Sequence, residues 1–208
     1  MAVEKAESTA FRLTNNTLLF GFPYCVKDIN VSKINVSYTP NRIWHSNTLS
    51  SYRGITNTDQ DSVSYLMGEI KEFTDCIIPF EYNLKLVSLW ANEYYEKDFQ
   101  EPHLHGNSDF SFVIFKKIGR SNGLVFFSPS YDLIQTNAFW ENKEIDIDRV
   151  IECHAIESQI VIFPSILRHM VLPSKEKEVR ITYSGNIKVM TKLDKNTEHD
   201  LSIMEKEY

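Results

Sequence analysis

The sequence lacks any long apolar run. Stretches such as Ile160-Val161-Ile162-Phe163 are far shorter than the roughly 20 residues that a membrane-spanning helix needs. The first ten residues, MAVEKAESTA, lack the apolar stretch of a secretory signal peptide. We therefore expect a cytoplasmic protein with no membrane partner.

Cysteine is scarce. Only Cys25, Cys76 and Cys153 occur, an odd number without the spacing of a metal or redox motif. This pattern argues against a disulfide-rich scaffold and predicts three reduced, mostly buried thiols.

An excess of positive charge is also missing. The net charge is −6, whereas a protein that binds nucleic acid through its phosphates needs a basic surface, so a nucleic-acid partner is disfavoured. With 42% apolar and 24% charged residues, the composition is typical of a folded chain rather than a disordered one. No long repeat or low-complexity linker divides the 208 residues. We predict one domain, 1–208, that ends in a polar extension over 190–208, and we leave open whether it forms a homodimer.

The apolar spacing predicts one helix followed by many strands. Over 59–77 apolar side chains recur at helical intervals, Asp59 or Asp61 can cap the start, and Pro79 closes the segment. Before the helix, 11–38 is predicted to hold strand-like pieces, with Pro23 limiting its strand to an edge or an end, and 41–58 is predicted to be a polar loop. Later strands are predicted over 84–90, 110–115, 124–127, 160–163 and 179–183.

This order of elements is typical of a mainly β fold. Many short strands separated by turn signals favour a sandwich or jelly roll, and the single helix in front of most of them is expected to pack across one face.

Three features in chain order carry candidate chemistry. The first is Pro102-His103-Leu104-His105, where residues two apart in an extended segment point the same way. The second is His169, just after a predicted strand. Together, three imidazoles suit iron(II) and other transition metals and leave coordination positions open for substrate and oxygen.

The third feature is Arg180-Ile181-Thr182, which begins eleven residues after His169. A guanidinium holds a carboxylate through two parallel hydrogen bonds, and Thr182 on the same face adds a hydroxyl. Taken singly, each feature is also explained by a surface or structural side chain. The order and spacing of all three favour a functional site.

Several segments resemble the 2-oxoglutarate/iron(II) oxygenases of the double-stranded β-helix superfamily that occur in bacteria and their phages. The resemblance covers about 18–187 and is most specific at the end of the chain. The matching segments are Leu19-Phe20-Gly21-Phe22-Pro23-Tyr24, Trp90-Ala91-Asn92, His103-Leu104-His105, Ser111-Phe112-Val113-Ile114-Phe115, Gly123-Leu124-Val125-Phe126-Phe127-Ser128-Pro129, Ile162-Phe163-Pro164-Ser165 through His169 and Pro173, and Arg180-Ile181-Thr182-Tyr183-Ser184-Gly185-Asn186.

The resemblance implies a double-stranded β-helix (jelly-roll) core with at least one N-terminal helix packed on it. It also implies an iron(II)- and 2-oxoglutarate-dependent dioxygenase, a hydroxylase that releases succinate and CO2 and needs no catalytic residue beyond its metal ligands. By the same resemblance His103, His105 and His169 hold the iron. Arg180 pairs with the distal carboxylate of 2-oxoglutarate, and Asn92 and Ser111 are further candidates for contact with it. A phage-encoded member would act in the host cytoplasm.

The sequence departs from the superfamily at its first motif. Members commonly carry His-x-Asp or His-x-Glu, whereas this chain carries His-x-His. His105 takes the expected ligand position, Asp109 is the reserve candidate, and water remains a third way to complete the shell.

Two other readings stay open, together with the choice of substrate. A cupin-like metalloprotein would use the same histidines without 2-oxoglutarate, but would have no need of Arg180. An accessory protein could keep only the fold. Residues 128–148 include Tyr131, Phe139 and Trp140, and these serve either as a substrate lid or as a docked surface excursion.

Overall fold

The computed structural model describes residues 16–19, 21–43, 48–130, 150–175 and 177–191. The C-terminal residues 192–208 and most of the 128–148 segment lie outside these ranges, so the expectations placed on them stay predictions. Within the described ranges the single α-helix has only 16 residues and does not reach the length and hydropathy that crossing a bilayer requires.

Twelve strands form two antiparallel sheets in the described residues. The strands are β1 Asn16–Leu19, β2 Phe22–Asp28, β3 Val36–Ile43, β4 Thr48–Thr58, β5 Asn83–Tyr94, β6 Gln100–His103, β7 Phe110–Lys117, β8 Leu124–Phe127, β9 Val150–Glu152, β10 Gln159–Pro164, β11 His169–Val171 and β12 Arg180–Met190. A short 3-10 helix, Val31–Lys33, and the helix α1, Gln60–Asp75, complete the set. The eight-stranded sheet has the order β1-β2-β10-β7-β12-β5-β4-β3, and the four-stranded sheet has the order β6-β11-β8-β9. The jelly-roll prediction is confirmed.

Helix α1 forms where the apolar spacing predicts it. Asp59 is its N-cap, and the Asp59 side chain accepts a hydrogen bond of 2.7 Å from the Ser62 backbone N–H. Leu66, Ile70 and Phe73 are buried against the large sheet.

The large sheet is covered on both faces. Because side chains alternate along each strand, successive residues of one strand enter two different cores. In β10, Ile160 and Ile162 join the core under α1, whereas Val161 and Phe163 join a second core between the two sheets. The molecule therefore has a helix-covered core and an inter-sheet core, and the candidate site lies in the second.

The predicted polar loop over 41–58 is wrong. Most of it forms β3 and β4, which pair with each other, and β4 also pairs with β5. Small hydroxyl side chains replace apolar burial here: the Thr48 hydroxyl donates to the Glu93 carbonyl at 2.7 Å, and the Ser51 hydroxyl accepts from the Ala91 N–H at 2.9 Å. A Ser- and Thr-rich strand of this kind shows little alternation of hydrophobicity, so periodicity does not reveal it.

Pro23 and the cysteines behave as expected. Pro23 is the second residue of β2 and faces β1, the outermost strand at that end of the sheet. All three cysteines are free, and Cys25 and Cys153 are buried.

Candidate metal and cosubstrate site

Two adjacent strands of the small sheet bring the three candidate histidines together. His103 ends β6, His169 begins β11, and the two are direct cross-strand partners. His105 lies two residues past His103, where its backbone N–H donates to the Ser165 carbonyl at 2.9 Å. One ring nitrogen from each histidine falls within 4.8 Å of the others, so the three form a group able to hold a metal ion.

Backbone carbonyls fix the ring orientation of two of these histidines. His103 Nδ1 lies 2.7 Å from the Glu101 carbonyl, and His169 Nδ1 lies 2.8 Å from the Leu167 carbonyl. A carbonyl only accepts, so each Nδ1 carries the proton and each Nε2 keeps a free lone pair. This is the tautomer that a metal ligand bound through Nε2 needs.

Burial keeps the three imidazoles neutral. It lowers the pKa of His103, lowers that of His105 to about 4, and holds that of His169 well below its usual range, with mutual repulsion contributing for His105 and His169. Neutral imidazoles bind divalent transition metals without first losing a proton.

A buried cation lies in the same inter-sheet region. Arg180 is 3% exposed, its guanidinium stacks 4.5 Å from the centroid of the Tyr94 ring, and Nη2 donates to the Leu172 carbonyl at 3.4 Å. Its Nε has no hydrogen-bond partner, and no carboxylate of the described residues forms an ion pair with it. Asp98 attracts the guanidinium only from beyond ion-pair distance and is itself paired with Arg42 at 3.4 Å. Since a buried charge is costly unless it is closely paired, this position fits an anionic ligand.

Gly123 makes the room that Arg180 occupies. A Cβ on Gly123 would meet Arg180 Nη1 at 2.5 Å, and its φ of +71° is a conformation that other residues rarely adopt. The turn before β8 therefore forms a cradle for the guanidinium that no larger residue would allow.

Thr182 and Asn92 lie next to Arg180 on paired strands. They are cross-strand partners on β12 and β5, and Asn92 Nδ2 donates to the Thr182 hydroxyl at 3.5 Å and to the Ser184 hydroxyl at 3.3 Å. Asn92 Oδ1 is buried without a partner. This orphaned acceptor and Arg180 Nε are the two unsatisfied buried side-chain atoms found in the described residues.

One cavity lies at the candidate metal position and extends to Tyr94 and Thr182, which contact Arg180 and Asn92. Its lining includes the three histidines, Trp90, Tyr94, Ser111, Phe163 and Thr182. Arg180 and Asn92 reach this lining through Tyr94 and Thr182 rather than forming it. His169 begins β11 and the Leu172 carbonyl that receives Arg180 directly follows the strand, three residues or roughly 10 Å of extended chain away. A metal-chelated five-carbon diacid and the guanidinium can span that distance together.

The structure places Ser111 and Asp109 differently from the other candidates. Ser111 lies at the histidine end, where it hydrogen-bonds to Ser165 and Asn186. The reserve ligand Asp109 instead accepts from Lys188 Nζ at 3.1 Å and from the Val189 N–H at 2.7 Å, and it is not part of the metal-ligating group. We therefore place Asp109 outside the candidate metal shell.

Sequence reasoning missed Tyr94, Gly123 and Asn186. Tyr94 follows Asn92 by two residues and Asn186 follows Arg180 by six, so period-2 alternation puts each on the same face as a residue already singled out. That signal was present in the sequence. The role of Gly123 depends on a contact with Arg180 from a distant part of the chain, which no local pattern shows.

Comparison with known proteins agrees with this geometry. Residues 88–186, which contain all three histidines and Arg180, match the model of the family described as "putative 2OG-Fe(II) oxygenase". The match indicates a 2OG-Fe(II) oxygenase, an enzyme that uses iron(II), 2-oxoglutarate and dioxygen. No curated protein sequence matches the chain.

Several solved structures are similar to this chain at low sequence identity. HygX from Streptomyces hygroscopicus, solved with nickel and 2-oxoglutarate bound, has a TM-score of 0.51 at 7% identity over 79% of this chain and 82% of its own. A prolyl-4-hydroxylase from Pseudomonas putida has a TM-score of 0.47 at 14% identity over 73% of this chain and 77% of its own. A 2OG-Fe(II) oxygenase family oxidoreductase from Burkholderia pseudomallei has a TM-score of 0.47 at 12% identity over 78% of this chain and 71% of its own.

Proposed function

We propose that the chain is a 2-oxoglutarate-dependent dioxygenase whose iron(II) is held by His103, His105 and His169 and whose cosubstrate is anchored by Arg180. The observation that carries the proposal is that three candidate metal ligands and one buried guanidinium lie in the same inter-sheet region. Three neutral imidazoles converge on one point, and a buried guanidinium has no carboxylate within ion-pair distance among the described residues. One metal-bound dicarboxylate satisfies both.

Each residue has a distinct task in this proposal. The histidines occupy one side of the metal and leave the other positions open. Arg180 binds the distal carboxylate through charge-assisted hydrogen bonds, with the Thr182 hydroxyl beside it. Asn92 offers its unpaired Oδ1 to a donor in the site, and Ser111 supports the histidine end through Ser165 and Asn186.

When bound, iron(II) and 2-oxoglutarate supply dioxygen activation and oxidation of a substrate C–H bond, with succinate and CO2 released. The protein limits water access around the metal with buried aromatic rings. Trp90 lies 5.8 Å from the His105 ring and Phe163 lies 4.9 Å from the His169 ring, measured between centroids. A dry, aromatic wall on the metal suits hydroxylation and reduces side reactions with water.

The test begins with binding under anaerobic conditions. Calorimetry with 2-oxoglutarate should show one site on the metal-loaded protein and much weaker binding on the metal-free protein. In air, the iron-loaded protein should slowly convert 2-oxoglutarate to succinate even without a primary substrate. If the metal-loaded protein binds no 2-oxoglutarate and forms no succinate, the cupin-like function replaces this one.

A further inference from the structure

We infer that Asn186 is a positioning residue whose amide orientation sets the tautomer of His105 and so decides which ring nitrogen can bind metal. This inference rests on the proposed ligand role of His105. His103 and His169 have their Nδ1 atoms fixed by backbone carbonyls, but His105 has a side chain in that place: Asn186 Nδ2 lies 3.5 Å from His105 Nδ1. The ring with a side-chain partner is the one that stands where the superfamily commonly has a carboxylate.

Asn186 is held firmly enough to do this. It is 7% exposed and lies on β12, on the same face as Arg180 and Thr182. Its Oδ1 accepts from the Ser111 hydroxyl at 2.9 Å, and its Nδ2 donates to the Ser88 hydroxyl at 3.1 Å. Two rigid strands and two hydroxyls therefore fix the position of the amide.

The amide orientation decides which nitrogen of His105 can bind metal. With Nδ2 directed at His105, the imidazole accepts at Nδ1 and carries its proton on Nε2, which blocks metal binding there. A metal on Nε2 requires Nδ1 to carry the proton, and Oδ1 of Asn186 must then face His105. The two arrangements differ by a rotation of the amide through half a turn, which exchanges two atoms of nearly equal size.

The surrounding hydroxyls accept either orientation. Ser111 also contacts the Ser165 hydroxyl at 2.8 Å in a bond that can run in either direction, and Ser108 donates to Ser165 at 2.9 Å. After the rotation, Ser88 donates to Oδ1, Nδ2 donates to Ser111, and Ser111 donates to Ser165. Ser165 then accepts from both Ser108 and Ser111 and gives up Ser111 as its own acceptor, so the rotation costs one hydroxyl hydrogen bond, which metal binding at His105 has to offset.

Replacing a residue that orients a metal-binding histidine through its second ring nitrogen typically lowers metal affinity by about tenfold to a hundredfold. We expect Asn186→Leu, which keeps the volume but removes the acceptor, to weaken cobalt(II) binding within that range in the absence of 2-oxoglutarate. Asn186→Asp supplies an acceptor that cannot donate, and we expect it to bind cobalt at least as tightly as the parent. Ser88→Ala removes one of the two hydroxyls that hold the Asn186 amide, and we expect it to weaken cobalt binding by less than Asn186→Leu does.

A double-mutant cycle separates positioning from general damage. In a His105→Ala background the tautomer of residue 105 no longer exists, so Asn186→Leu should cause no further loss of cobalt affinity. The ligand-field spectrum of bound cobalt should change in Asn186→Leu in the same direction as in His105→Ala. If Asn186→Leu does not fold, Asn186→Ala takes its place with the same expectations.

Three outcomes would overturn the inference, and they separate it from the ligand assignment. Equal cobalt affinity in Asn186→Leu and the parent, with affinity lost in His105→Ala, removes Asn186 while keeping His105 as a ligand. An equal loss from Asn186→Leu with and without His105 shows structural damage instead. Unchanged cobalt affinity in His105→Ala removes His105 from the metal shell, and the role of Asn186 falls with it.

Discussion

The helix-covered core and the inter-sheet core are built from the same strands but satisfy different demands. Under α1 the buried side chains are almost all apolar, with Leu66, Ile70 and Phe73 packed on the sheet. Between the sheets, apolar residues share the space with His169, Arg180 and other buried polar groups, two of which have unsatisfied atoms. The first region stabilises the fold. The second contributes less stability, because its buried polar groups are kept available for ligands.

The largest expected effect is on the helix-covered core. Phe73 is 3% exposed and packs edge-to-face on Phe110 with ring centroids 5.9 Å apart. We expect Phe73→Ala to lower the free energy of unfolding by about 3–5 kcal/mol, because it removes apolar burial and leaves a cavity. Chemical denaturation of the metal-free protein measures this loss.

The control for Phe73 is Ser64, an exposed residue of the same helix, and Ser64→Ala should shift stability by less than about 0.5 kcal/mol. The folded fraction of Phe73→Ala should bind metal like the parent. A large loss of metal affinity in folded Phe73→Ala protein would show that the two cores are not independent.

The next effect belongs to the histidines. We expect His103→Ala and His169→Ala each to abolish binding of the single divalent metal, while the metal-free fold persists. In the parent, metal at about a hundred times its dissociation constant should stabilise the fold by about 2.7 kcal/mol, and both variants should lose this gain. Thermal unfolding with and without manganese measures it.

His154 provides the matched control, since it is exposed and is not in the metal-ligating group. His154→Ala should keep the full metal-dependent stabilisation. A variant at position 103 or 169 that also kept it would remove that histidine from the shell.

The sequence predicts these two regions unequally, for physical reasons. The 3.6-residue period of α1 is a local pattern, so the helix can be found in a single sequence. The candidate ligands can be found there too, because the histidines and Arg180 occur in short motifs that follow one another in a fixed order. Strands β3 and β4 are stabilised by bonds such as Thr48 to Glu93, between distant parts of the chain, and no local pattern encodes them. Asp109 is the opposite case: its spacing suits a ligand, but Lys188 and Val189 engage its carboxylate.

A smaller effect is expected at the buried cation. Arg180→Ala should weaken 2-oxoglutarate binding about tenfold to a hundredfold, because a charge-assisted pair in a semi-enclosed site is worth about 1.5–3 kcal/mol. Metal affinity should not change. Arg180→Lys should recover only part of the loss, since an ammonium lacks the planar pair of donors. Calorimetry on the manganese-loaded protein measures all of these variants.

Gly123→Ala tests the same site without touching its charge. Its Cβ would fall 2.5 Å from Arg180 Nη1, so the guanidinium must move and 2-oxoglutarate affinity should fall although Arg180 is intact. Parent-like binding in Arg180→Ala would make Arg180 an ordinary buried strand residue and leave the cosubstrate assignment to the family match alone.

The smallest expected effect contrasts two buried threonines, one in each region. The Thr182 hydroxyl contacts Asn92 Nδ2 at 3.5 Å and the Tyr94 hydroxyl, whereas the Thr74 hydroxyl in α1 donates to the Ile70 carbonyl at 3.3 Å and accepts from the Tyr82 hydroxyl at 2.7 Å. Valine replaces each hydroxyl with a methyl group of similar size. We expect Thr182→Val to weaken 2-oxoglutarate binding by about 0.5–1.5 kcal/mol, a twofold to tenfold change, with little loss of stability. Thr74→Val should do the reverse, because it removes the buried hydrogen bonds of Thr74 to Ile70 and Tyr82, although Tyr82 keeps Asp75 at 2.6 Å, and the site stays intact. Denaturation measures the free energy of unfolding of both variants, and calorimetry measures their affinity for 2-oxoglutarate. If the two substitutions changed either quantity equally, the inter-sheet core would not be specialised for binding and the helix-covered core for stability.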